Sequence, residues 1–131
     1  MSPLSRREAG APDGAGPLID AFARGDARAA REALAPEAVF HSPVADYRGR
    51  DQIAPVLDAL TRVVRVTANV AVHRDDAETV WFFTAEVEGE RADGVLRVRG
   101  APAADVTLMI RPLDALLAGV KAMGRELGKA G

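Results

Sequence analysis

Near residue 64 the hydrophobic repeat of this chain changes from a helical period to a strand period, and that change divides whatever it folds into. Upstream, Ile53, Val56, Leu57, Leu60, Val63 and Val64 recur three and four residues apart, which puts them on one face of a helix opened by Asp51. Downstream, Val66, Ala68, Val70 and Val72 alternate with Arg65, Thr67, Asn69 and His73, the pattern of a strand with one wet face. Three more strand patterns follow, over residues 79–87, through Leu96 and Val98, and over 105–111, with turns at Asp75-Asp76, Gly89-Glu90 and Ala101-Pro102. Pro112 then starts a closing helix whose Leu113, Leu116, Leu117, Val120, Met123 and Leu127 form one stripe.

Ahead of the period change, Leu18, Ala21 and Phe22 and then Ala30, Ala33 and Leu34 mark two short helices, broken at Gly25 and restarted with Asp26 as N-cap. Pro36 is expected to end them, and residues 38–41 to form a short strand running into the turn Ser42-Pro43. Residues 1–16 show no apolar periodicity and are expected to be a flexible tail on a single domain over 17–131. Helices followed by a strand meander make an α+β fold. A strongly curved antiparallel sheet with helices packed over its concave face, plus the C-terminal helix, gives a cone.

At 131 residues the chain holds one core. Seventeen Lys and Arg against nineteen Asp and Glu leave a net charge of −2, so no field draws it to nucleic acid or an anionic membrane surface. The absence of cysteine removes disulfides, thiolate ligands and a thiol nucleophile. Two histidines and no glycine-rich phosphate loop leave no motif for a metal or another cofactor, and none is expected. With no apolar run behind Arg6 and Arg7 and no membrane-spanning run elsewhere, a cytoplasmic protein is expected. Because residues 79–87 are apolar on both faces, Val80 and Phe82 are expected to be covered by a second subunit, giving a symmetric homodimer through the convex sheet face.

Arg24-Gly25-Asp26 between two helices, then Val39-Phe40-His41-Ser42-Pro43-Val44, then Tyr47-Arg48-Gly49-Arg50-Asp51 opening a helix, resembles the nuclear transport factor 2-like superfamily. Within it the chain looks most like the SnoaL-like group, which includes polyketide cyclases. The likeness spans about residues 17–111, and Arg111-Pro112-Leu113 with its helix is similar to a subset of uncharacterised members. The resemblance implies an apolar pocket for a small organic molecule, cyclic or polyketide-like. It leaves an acid–base isomerase, cyclase or hydrolase and a non-catalytic binding or dimerisation module both standing, since one fold hosts many functions. The ketosteroid isomerases of this fold use an Asp before Pro-Val as base, a Tyr on the first helix and a protonated Asp on the third long strand. Matched here are Ser42, Leu18 and Gly94, so that mechanism has none of its groups. Asp93 is one residue off and on the other strand face.

His41 and Asp46 are then the candidate catalytic acid–base residues near the mouth of the cone. Thr107, Met109 and Arg111 share one face of the last strand, which the resemblance points inward. Arg111 would there bind a carboxylate or phenolate with two parallel hydrogen bonds, or, as a structural alternative, pair with Asp114. Trp81, Phe83, Leu96, Leu57 and Tyr47 complete the expected ligand-binding wall, Trp81 and Phe83 being core residues first. The expected ligand is a small hydrophobic or weakly acidic organic molecule. His73 reads as a surface residue, and Glu86, Glu88 and Glu90 as a solvated or dimer-facing stripe.

Overall fold

The computed structural model describes residues 14–130; of the tail expected over residues 1–16, residues 1–13 lie outside the described residues. The elements run α1 (Pro17–Arg24), α2 (Ala27–Glu32), β1 (Leu34–His41), β2 (Asp46–Arg48), α3 (Arg50–Val63), β3 (Val64–Arg74), β4 (Glu78–Val87), β5 (Glu90–Arg99), β6 (Ala103–Arg111) and α4 (Leu113–Ala130). Gly25 ends α1 in the left-handed conformation, φ 74°, where its N–H reaches back to the carbonyls of Ala21 and Phe22. Asp26 caps α2 as expected, its carboxylate accepting from the Ala29 N–H at 3.0 Å. β1 begins earlier than the sequence suggested: Pro36 lies inside it rather than at a helix end. The ladder to β6 is irregular between Leu34 and Val39, so the missing proline N–H costs no regular sheet bond there.

The six strands form one curved sheet in the order β2-β1-β6-β5-β4-β3. Every neighbouring pair is antiparallel except β1 and β6, which run parallel, so the curved sheet is mostly antiparallel, as expected. The short return strand β2 takes one edge of β1, and the meander from β3 to β6 delivers its last strand to the other. Two register shifts in β3, between Val66 and Ala68 and between Asn69 and Ala71, break the simple alternation expected there. Val70 is left 64% exposed, while Asn69 accepts a hydrogen bond from the Trp81 indole N–H at 2.9 Å. Such bulges bend and twist a strand, which helps a sheet curl into a cone.

The concave face meets α1, α3 and α4. At its narrow end the rings of Trp81 and Phe83 stack with centroids 4.2 Å apart, and Phe22 of α1 meets both edge-on at 6.3 and 6.0 Å. All three are buried, as are Ile19, Leu34, Phe40, Ile53 and Leu108 of the same core. Phe83 lies directly against the backbone of Gly94, where a Cβ would come within 2.3 Å of the ring. The core at these rings is therefore close-packed, and a separate, polar-rimmed cleft of about 830 Å³ opens among α1, α2, Glu78, Thr79 and Val98.

Candidate functional site

Towards the wide end, the helices stand off the sheet and leave a cavity of about 220 Å³. Leu60 and Val63 of α3, Val87, Leu108 and Ile110 of the sheet, and Leu116 and Met123 of α4 wall it, with residues 42–44 at its rim. Gly119 lets α4 approach the sheet closely, since a Cβ there would lie 3.1 Å from Val87 Cγ1. Only two lining side chains are polar, Ser42 and Tyr47, and none among the described residues is charged. The Ser42 hydroxyl is committed to its own turn: it donates to the Ala45 carbonyl at 2.8 Å and accepts from the Ala45 and Val44 N–H groups at 3.0 and 3.3 Å. Tyr47 stacks on Phe40 with centroids 6.3 Å apart, and its hydroxyl makes no hydrogen bond among the described residues. It is the one polar side chain of the cavity free to meet a guest.

Of the residues expected to line a pocket, Tyr47 does. Leu57, Trp81, Phe83 and Leu96 are buried in the core and do not line the cavity. The expectation that Thr107, Met109 and Arg111 point inward is corrected. Cross-strand partners in an antiparallel pair share a face, and Leu96 pairs with Leu108 while Met109 pairs with the outward Val95. Val106, Leu108 and Ile110 are thus the inner set, Met109 is 58% exposed, and Arg111 lies outside. Arg111 pairs with Asp93 of β5 at 3.1 Å, not with Asp114.

His41 also points outward, because Phe40 beside it is buried in the core. The structure brings it together with Asp46, Nδ1 to Oδ1 at 2.8 Å, and with Asp105 of β6, Nε2 to Oδ2 at 3.4 Å. The hydrogen bond to Asp46 holds the imidazole pKa above its usual value; partial desolvation opposes this, and Asp105 adds to it. Both catalytic candidates therefore sit across the sheet from the cavity. The outer face continues into charged pairs, with Arg97 bonded to Glu78 at 2.8 Å. No group of metal-binding side chains occurs among the described residues. The α4 wall was missed in the sequence, although its apolar stripe was read, because a helical stripe does not say which neighbour it faces.

The SnoaL-like domain family matches residues 17–124. No curated protein matches the sequence. A steroid delta-isomerase from Pseudomonas aeruginosa is 29% identical, with a TM-score of 0.71 over 84% of this chain and 85% of that one. An uncharacterised protein with a cystatin-like fold from Silicibacter pomeroyi is 23% identical, with a TM-score of 0.75 over 86% of each chain. A protein with a ketosteroid isomerase-like fold from Catenulispora acidiphila, in complex with trimethylamine, is 14% identical, with a TM-score of 0.62 over 83% of this chain and 92% of that one.

Proposed function

As the chain belongs to the SnoaL-like domain family of the nuclear transport factor 2-like superfamily, we propose that it binds one small, uncharged organic molecule in the cavity between α3, α4 and the sheet. The observation that carries this reading is the lining: an apolar wall with a single available polar side chain, Tyr47. An anion entering such a space would shed its hydration with no cation to meet it, which disfavours the weakly acidic ligands that an inward Arg111 would have suited. A neutral carbonyl or ether oxygen accepting from the Tyr47 hydroxyl suits it better. The size fits a ring system of one or two rings, since an apolar cavity of about 150 Å³ already takes up benzene.

A second reading, an isomerase or cyclase, is favoured by the 29% identity to a steroid delta-isomerase. Tyr47 would then polarise the substrate carbonyl. The positions of that enzyme class's acid–base groups hold side chains with other work: Ser42 fixes its turn, Leu18 is buried, and Phe83 covers Gly94. The binding reading is therefore preferred. In either case a homodimer through the outer sheet face is part of the proposal, because Ala71, Phe82, Val95 and Met109 line up across four strands there and Phe82 is 38% exposed.

Calorimetric titration with 2-acetylnaphthalene, 2-ethylnaphthalene and 2-naphthoate tests this reading. The ketone is expected to bind three- to about tenfold tighter than the hydrocarbon, the worth of one hydrogen bond, and the acid not at all. Tyr47→Phe should erase the difference, and Leu116→Trp, which fills the cavity, should weaken both neutral ligands. Binding of the naphthoate alone would overturn the proposal.

A further inference from the structure

We propose that His41, from the outer face of the sheet, is a positioning residue for Tyr47 on the inner face. The inference rests on the reading of Tyr47 as the hydrogen-bonding group of the cavity. β2 is only three residues long and lies at the edge of the sheet, paired with β1 alone: Val39 with Arg48, Phe40 with Tyr47 and His41 with Asp46. Neighbouring side chains of a strand point to opposite faces, so Asp46 projects outward while Tyr47 lines the cavity. Their Cα atoms are about 3.8 Å apart on a stiff backbone, so what holds Asp46 also sets the direction of Tyr47.

What holds the Asp46 side chain is His41, and His41 is anchored in turn. Its Nδ1 meets Asp46 at 2.8 Å and its Nε2 faces Asp105 at 3.4 Å, so one imidazole ties the edge strand β2 to β6 in the middle of the sheet. The charged groups around it come from each neighbouring strand. Asp46 of β2 and Asp105 of β6 face the ring itself; behind them Arg97 of β5 acts on Asp105 and is bonded to Glu78 of β4. Two carboxylates favour the imidazolium, in which both ring nitrogens donate. Once the ring is neutral, only one nitrogen donates, and the tie across the three strands loses an end.

The readout is the ratio of ketone to hydrocarbon affinity, using 2-acetylnaphthalene and 2-ethylnaphthalene, between about pH 5.5 and 8.5, the range in which imidazole titrates. In the unaltered protein the ratio should fall as the pH rises through the elevated His41 value. His41→Gln and Asp46→Asn should show a ratio lowered by about threefold or more at the acid end and flat with pH, with hydrocarbon affinity unchanged. A merely structural role would weaken both ligands alike. If Tyr47→Phe removes the ratio while His41→Gln keeps it with its pH dependence, the positioning role is wrong and the cavity reading stands. If Tyr47→Phe leaves the ratio intact, the reading of Tyr47 fails, and the positioning role with it.

Discussion

Replacing Gly94 with alanine sets two effects of opposite sign against each other. Gly94 lies on β5 opposite Phe83 of β4 and has no positive φ, so its backbone suits any residue. Elsewhere such a change stabilises by about 0.4–1 kcal/mol, because alanine leaves the unfolded chain fewer conformations. Here the new Cβ would stand 2.3, 2.5 and 2.8 Å from three ring carbons of Phe83. That ring has nowhere to retreat: it is 1% exposed, stacked on Trp81 and edged by Phe22. Overpacking of this kind costs about 1–3 kcal/mol, so the clash should win by about 1–2 kcal/mol. In a domain of this size that corresponds to a fall in Tm of roughly 3–10 °C. Urea and thermal unfolding followed by the fluorescence of the sole tryptophan, Trp81, would measure it. Phe83→Leu alone should destabilise by leaving a void, while the pair Gly94→Ala with Phe83→Leu should be more stable than the sum of the two by about 1 kcal/mol or more. A Gly94→Ala protein as stable as the parent, or strictly additive changes, would refute the packing argument.

Arg111→Ala should cost less than about 1 kcal/mol and leave ligand affinity unchanged, since the side chain is 75% exposed and paired only at the surface; denaturation together with calorimetric titration checks both, and lost binding would show the strand faces to be misassigned. Phe82→Lys should convert a dimer to a monomer in sedimentation at about 10–100 µM, a range in which a monomeric parent protein would remove the case for assembly through this face. Asp26→Ala should destabilise at neutral pH. The bond from the Ala29 N–H, helped by Arg24, holds the Asp26 carboxyl below its usual range, so its contribution is complete above the unfolded-state value and is lost as the pH falls through the depressed one. The stability gap between the two proteins, followed by denaturation across pH, should close in strong acid.

Local rules were enough to read a good deal of this fold. The helix restart at Asp26, the turn at Ser42-Pro43 and the four long strands depend on groups within a few residues of one another, and all are found. Where the sequence misled, the deciding partner was distant. Pro36 read as a helix stop because nothing nearby shows the irregular pairing with β6 that accommodates it. Tyr47 could be named as a pocket residue, but its isolation among apolar side chains depends on α4, which lies far along the chain.

Alternation alone sorts β6 into two sets, Val106, Leu108 and Ile110 against Thr107, Met109 and Arg111, and leaves open which set is inside. Only the register with β5 decides it, by placing Leu108 beside Leu96 and so sending Arg111 to the surface. The same kind of choice put His41 and Asp46 on one side of the sheet and Tyr47 on the other. The sequence by itself determined the helices, the four long strands and the chemistry available on each. The tertiary structure alone decided which face encloses the cavity, because a two-residue period fixes side chains relative to each other, whereas inside and outside are fixed by what packs against them.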